Sequence, residues 1–356
     1  MPLKVEETAF LTSDFSAILR IIVFNGLGLF IVDIFFPYIT SRVLEVSATY
    51  LGLIYSLILF GNILSSPLIG VLSDKLSKRK LVATGSVGRG IAYLLLYIGI
   101  ITRSLQIYML GSFTLGFLTG FFWIPLNALI SQKSHKHHRS AAFGKRDMAL
   151  GIGQLIGGLS GLVLFSLGLS FYPENIALIF ICLPIYGAMN MYAGTLFLRK
   201  IDENVHYQYA PNEKNLNPNG NVVISTPSLP ANSSVSLKMF RIGVFIFLLA
   251  FLVSAINGSL AKPFYQLYIL ANLTDDPTLA IIAYVPAGIV AVALAPKLGK
   301  IMDKFNPLLG ISVLSFLGAS VTWLLISTAS IWVFMVLLII DRSEEHTSEL
   351  QSRQVI

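Results

Sequence analysis

The feature that most constrains this chain is a succession of apolar runs about 20 residues long, separated by short polar loops. At ~1.5 Å of rise per residue, a helix of that length spans the ~30 Å hydrocarbon core of a bilayer. The chain therefore reads as an all-α polytopic membrane protein. Composition agrees, since 55% of the 356 residues are hydrophobic and only 12% charged, about half the charged share of soluble domains.

The predicted spans are 17–39, 48–70, 81–102, 106–130, 148–170, 175–198, 242–270, 278–298 and 308–328, with a tenth starting near Ser330. The opening "MPLKVEETAFLTSDFS" has mixed charge and no basic n-region or cleavage site, so no signal peptide is expected. The single cysteine, Cys182, lies in an apolar run and rules out a disulfide framework. A net charge of +7 raises the question of nucleic acid. The bases sit in short loops between apolar runs, so the expected surroundings are a lipid bilayer and no nucleic acid.

Residues 199–241 are rich in Asn, Pro and Ser and too polar to bury a core, as in a disordered linker. The expected organisation is an N-terminal six-helix bundle over 1–198, this linker, a partial second bundle over 242–341, and a tail over 342–356. Orientation follows from Lys and Arg in the loops. Lys75, Lys78, Arg79 and Lys80 share one loop, and Lys133, Lys136, Arg139, Lys145 and Arg146 another. The opposite loops offer Arg42 and Arg103. The N-terminus, basic loops and linker are thus expected in the cytoplasm, with the protein multi-pass in the plasma membrane.

The second block repeats the first. One gapless offset of 229 positions puts Tyr55 on Tyr284, Pro67 on Pro296, Gly70 on Gly299, Asp74 on Asp303 and Lys75 on Lys304. Internal repeats of this kind are common in secondary transporters. "GVLSDKLSKRK", Gly70 to Lys80, joins the second and third spans, and "GKIMDKFNP" is its weaker copy. Gly70 is expected to let two helices approach closely. Asp74 lies one turn on and can accept from a helix N-terminus or a basic partner.

These residues resemble the signature loop of the major facilitator superfamily, with Ser77 where a second Gly is usual. "NGLGLFIVDIFFPYI", "LGFLTGFFWIPLNALI" and "GIGQLIGGLSG" are similar to its first, fourth and fifth helices. The last lacks the Pro usual in drug exporters, and "YMLGSFTLG" lacks their Arg. The resemblance implies two six-helix bundles around a central cavity, alternating access, and conformational switching at Gly70, Asp74, Lys75, Lys78, Arg79, Gly299, Asp303 and Lys304. About nine full helices and part of a tenth are present. "RSEEHTSELQS", from Arg342, resembles a translated sequencing-library adapter, so the expectation is a C-terminally truncated fragment with an artefactual tail.

Asp33 and Lys262 are the charges deepest in the apolar runs, and the 229 offset superposes them. Intramembrane charges are costly and face a cavity or a partner. They are the expected coupling and gate pair, with pairing inside each bundle as the bland alternative. Asn25, Trp123, Asn127, Tyr265 and Gln266 are the expected cavity residues. Gly151, Gly158 and Gly161 are ascribed to helix packing, Arg89 to snorkelling, and the "HKHH" of residues 135–138 to a solvated loop. No Gly-rich loop with Lys-Ser/Thr implies ATP; no cofactor and no metal are expected. The expected function is secondary transport of a small solute by a monomer, with a proton-linked exporter favoured over a sugar or organic-acid symporter or facilitator. Asn62 and Ser66 stand where sodium–sugar symporters of the family carry acids. A transport-dead sensor on the same scaffold is the rival from another class; clustered catalytic side chains for an enzyme are not seen.

With the linker in the cytoplasm, a cysteine at Ser234 in sealed cells resists an impermeant thiol reagent. Ready labelling from outside inverts the topology.

Overall fold

The computed structural model describes residues 10–135, 138–207, 265, 268–274, 277–302 and 307–341. Among the described residues the regular structure is helical, with one isolated antiparallel bridge between Leu11 and Ser134. The helices are α1 (Phe15–Gly26), α2 (Leu29–Tyr38), α3 (Ala48–Lys75), α4 (Lys78–Ile101), α5 (Leu105–Gln132), α6 (Arg139–Phe171), α7 (Ile176–Ile179), α8 (Cys182–Lys200), α9 (Pro277–Ile282), α10 (Val285–Met302), α11 (Pro307–Ser327) and α12 (Ile331–Asp341). Four of them, α3 to α6, are long and apolar enough to cross a membrane. This is a multi-pass helical membrane protein.

The predicted spans recur with physical differences. The first is two helices, interrupted at Leu27 and Gly28, and it ends in a π turn over Ile39–Val43. The sixth is divided into α7 and α8, the eighth into α9 and α10. Helix α6 starts at Arg139 rather than 148, so its first turns are charged. Most of the seventh predicted span lies outside the described residues, as does the tail from Arg342.

Helix α4 packs on α5 and α8, α3 on α5, and α1 on α6 and α8. One core gathers Phe15, Ile18, Ile22, Phe122, Leu126 and Phe197. A second, towards the other end, gathers Phe35, Phe36, Tyr93, Leu96, Tyr108 and Phe180. Ring pairs knit the latter together: Phe35 lies 5.0 Å from Phe165 and Phe36 5.3 Å from Tyr108. Outward faces carry Phe60, Ile63, Val163 and Phe171, all exposed, as lipid contact requires.

Lipid is as apolar as leucine, so helices in a bilayer associate through close packing and hydrogen bonds rather than the hydrophobic effect. Two glycines show how close. A Cβ at Gly157 of α6 would lie 1.7 Å from the Leu27 carbonyl oxygen, and one at Gly116 of α5 would lie 1.9 Å from that of Ile58. Any side chain there separates the helices. Of the glycines ascribed to packing, Gly151 meets Val292 across α10. The contacts with α1 are made by Gly153 and Gly157, on another face of α6.

At the end with the basic loops, Lys133 is a hub. It lies beyond the C-terminus of α5, where a cation suits the helix dipole. Its ammonium is fully buried, 2.6 Å from the Asp14 carboxylate, and donates to the carbonyls of Asp202 (2.7 Å) and Val205 (2.8 Å). The backbone of Tyr207 donates to Gln132 (3.0 Å) and that of His135 to Phe10 (2.9 Å). Two expectations are corrected here. Residues 199–207 are not linker: α8 runs to Lys200 and the following residues dock on the bundle. His135 is not solvated but buried, its ring 5.2 Å from Tyr207. Residues 208–241 of the expected linker lie outside the described residues.

Lys133→Met leaves the Asp14 carboxylate and two carbonyls without their donor. Loss of one partner of a buried pair costs about 3 kcal/mol. Thermal unfolding of the full-length protein in detergent is expected at a clearly lower temperature, with faster proteolysis near residue 207. An unchanged melting temperature contradicts the hub.

Candidate functional site

The signature loop is a tight connection between α3 and α4. Ser77 caps α4, its Oγ accepting from the Lys80 backbone (3.3 Å). That gives a physical role to the residue standing in place of the usual Gly. Ser77 also donates to Glu203, whose carboxylate accepts the backbone N–H of Lys78 (2.8 Å) and, at 3.5 Å, that of Arg79. The Arg79 guanidinium donates to the Ile201 carbonyl (3.2 Å). Burial pushes the Glu203 carboxyl up, but the Ser77 hydroxyl, the two backbone N–H groups and the Lys78 charge outweigh it. The net result is below its ordinary value.

Glu203 thus occupies the anion-binding N-terminus of α4, the role expected of Asp74. Asp74 and Lys75 stand exposed in the last turn of α3. The close approach expected at Gly70 is not met among the described residues, where a Cβ there has nothing within 4 Å. Gly299 lies in α10; Asp303 and Lys304 lie outside the described residues.

A polar layer crosses the bundle interior. Asn25 of α1 is fully buried; its amide donates to the Ile21 carbonyl (3.3 Å) and its Oδ1 accepts from Ser86 of α4 (2.9 Å). Ser86 lies 2.6 Å from the carbonyl of Asn190 of α8. Arg89 of α4 is 0% exposed, donates to the Asn25 carbonyl (3.3 Å) and lies 5.2 Å over the Phe122 ring. Snorkelling is therefore wrong for Arg89. It sits 11 residues into α4, about 16 Å at ~1.5 Å per residue, too deep for its stem to reach water.

The Phe122 ring lies 4.8 Å from Trp123, which continues the layer to α6. Arg146 of α6 stacks 5.0 Å over Trp123, donates to Asn127 Oδ1 (2.9 Å) and pairs with neighbouring Asp147. Both charged side chains are at most 5% exposed. The expected pair Trp123 and Asn127 thus share a face and meet a guanidinium that the loop assignment of Arg146 missed. Its signal was "RDMALGIGQ", where an Arg-Asp pair directly precedes the apolar run.

Asp33 lies in α2, while Lys262 and Gln266 are outside the described residues. Tyr265 is buried against the second block, its hydroxyl donating to Thr322 (3.4 Å) and its ring 6.2 Å from Phe334. The halves meet along α6 and α10. A Cβ at Gly151 would lie 2.4 Å from Val292, and one at Gly288 2.8 Å from Leu155. Small residues facing branched ones make this a smooth face.

The family model described as Major Facilitator Superfamily matches residues 19–341. Over 264 residues the chain is 27% identical to Multidrug resistance protein MdtG of Salmonella dublin, covering 72% of this chain and 57% of the relative. It is 29% identical over 263 residues to MdtG of Yersinia enterocolitica, covering 72% and 56%. The chain thus spans a little over half the length of these relatives. Among solved structures, tetrameric PepTSo2 is similar with a TM-score of 0.66 at 14% identity, covering 97% of this chain and 83% of that one. The E. coli fucose:proton symporter FucP is similar with a TM-score of 0.61 at 12% identity, covering 95% and 82%. At these identities the likeness is one of fold.

The depressed Glu203 carboxyl has a pH signature. A group with a lowered folded pKa contributes stability above its unfolded pKa and loses it as pH falls through the folded one. Glu203→Gln is expected to melt below the wild type at neutral pH, and the gap is expected to close as the pH falls through the lowered folded pKa of Glu203. A gap independent of pH contradicts the assigned contacts.

Proposed function

We propose that this protein, whose chain belongs to the Major Facilitator Superfamily, is a secondary active transporter that exports a small solute by alternating access, with protons as the driving ion. The carrying observation is the family match along residues 19–341. That the curated relatives are multidrug resistance proteins supports an exported drug-like solute. The smooth α6–α10 face supports relative movement of the two halves. The polar layer supports an interior that can meet a polar group of the solute at Trp123, Asn127 and Arg146.

In this proposal the basic loops and the N-terminus face the cytoplasm of a plasma-membrane protein. The signature loop and Glu203 tie the α4 N-terminus to the segment leaving α8, so the first bundle moves as one body. Asp33 takes the proton. Its negative charge holds Lys262 across the cavity while the outer side is closed; protonation removes that attraction and lets the outer side open. Energy supplied by the gradient enters at that step, because an ion pair lost in a low dielectric is worth far more than one in water.

Proteoliposomes with the full-length protein and a panel of cationic, neutral and anionic solutes test this. Transport dependent on an imposed pH gradient is expected, and Asp33→Asn is expected to reduce it and flatten its pH dependence. The charge swap of Asp33→Lys with Lys262→Asp is expected to recover part of what each single change loses. Normal transport by Asp33→Asn with unchanged pH dependence removes Asp33 from coupling; transport indifferent to any gradient removes the secondary active mechanism.

A further inference from the structure

The interruption of the first membrane segment has an unusual setting. Leu27 and Gly28 fall between α1 and α2, so the helical hydrogen-bond ladder is broken there. Backbone carbonyls released in hydrocarbon need other partners. One receives a donor and another is covered by close packing, from opposite sides. The Asn25 carbonyl receives the Arg89 guanidinium of α4 at 3.3 Å. The Leu27 carbonyl lies so close to Gly157 of α6 that a Cβ there would stand 1.7 Å from it. One turn above Arg89 on the same face of α4, the Tyr93 ring fills the notch beside Gly28: a Cβ on Gly28 would stand 2.5 Å from its Cζ. Tyr93 is 0% exposed and cannot swing away.

These residues form a socket, a break in one helix fitted by a cation, a ring and a bare Cα from two neighbours. Arg89 has no carboxylate beside it among the described residues; its neighbours are the Asn25 carbonyl, the Phe122 ring and the Tyr93 hydroxyl one turn on. A guanidinium is costly in such a place. A purely structural donor to one carbonyl could be supplied by a neutral side chain at far lower cost. The charge fits a different role, an electrostatic hold on the carbonyl end of α1 that survives small changes of angle. Hydrogen bonds fall away steeply with misalignment, whereas charge–dipole attraction falls gradually.

We infer that the segment is two rigid pieces joined at a hinge at Leu27–Gly28, with Arg89 as the pin that sets the angle of α2. Arg89 is then the positioning residue for Asp33, which rides on α2. That last clause rests on the coupling role proposed for Asp33; the hinge and pin stand without it.

Distances between spin labels test the hinge in the full-length protein in lipid nanodiscs, where the buried native Cys182 stays unlabelled. One pair, Arg42→Cys with Glu174→Cys, reports α2 against the bundle. The other, Ser13→Cys with Lys200→Cys, reports α1. Arg89→Gln and Gly157→Ala are expected to shift or broaden the first distribution by several Å and leave the second unchanged. Arg89→Lys, which keeps the charge, is expected to fall between Arg89→Gln and the wild type, and it remains informative if the glutamine variant does not fold. Equal changes in both pairs mean that the segment moves as one rod and overturn the hinge. No change in either with Arg89→Gln overturns the pin. A shift that leaves the pH dependence of transport intact keeps the pin and rejects its link to Asp33.

Discussion

Everything in the first bundle depends on how closely its backbones approach. Without a hydrophobic force between helices in lipid, association rests on packing and on polar contacts that lipid cannot satisfy. The contact of Gly157 with the Leu27 carbonyl is the tightest of these. It brings α1 and α6 together at the level where the first segment is broken. The same closeness is repeated by Gly116 on Ile58. Polar side chains within the bundle find protein partners.

That explains how the bundle holds two guanidinium groups in its interior. Arg146 has a carboxylate beside it, an amide oxygen and an indole face. Arg89 has a carbonyl and a phenyl face. The first is a satisfied charge, suited to a lasting place beside a solute pathway. The second is held by weaker, longer-ranged attraction, suited to a joint. Outside the bilayer the pattern is denser: Lys133 and Glu203 each take several partners and tie the N-terminal segment, α4, α5 and the end of α8 into one base.

Much of this architecture was legible in sequence, because apolar length and turn chemistry are local. The spans, the Ser77 loop, and the shared face of Trp123 and Asn127 all follow from spacing along one helix. What was not legible depends on partners far away in the chain. Glu203 lies more than a hundred residues from the helix N-terminus it meets, and no spacing rule distinguishes it from Asp74, which sits in the signature itself. Arg89 lies towards the cytoplasmic end of its predicted span, which suggests snorkelling, but α4 is enclosed there by α1, α5 and α8. The break at Leu27 and Gly28 is hidden because "GLGLF" carries no polar side chain, and hydropathy does not register a missing hydrogen bond.

The account's central claim is that two halves move against each other along α6 and α10. Cross-linking across that face tests it most directly. With cysteines at Leu155 and Gly288 in the full-length protein, a short thiol cross-linker is expected to stop transport in proteoliposomes, and reduction of a cleavable linker to restore it. Undiminished transport by fully cross-linked protein would contradict it.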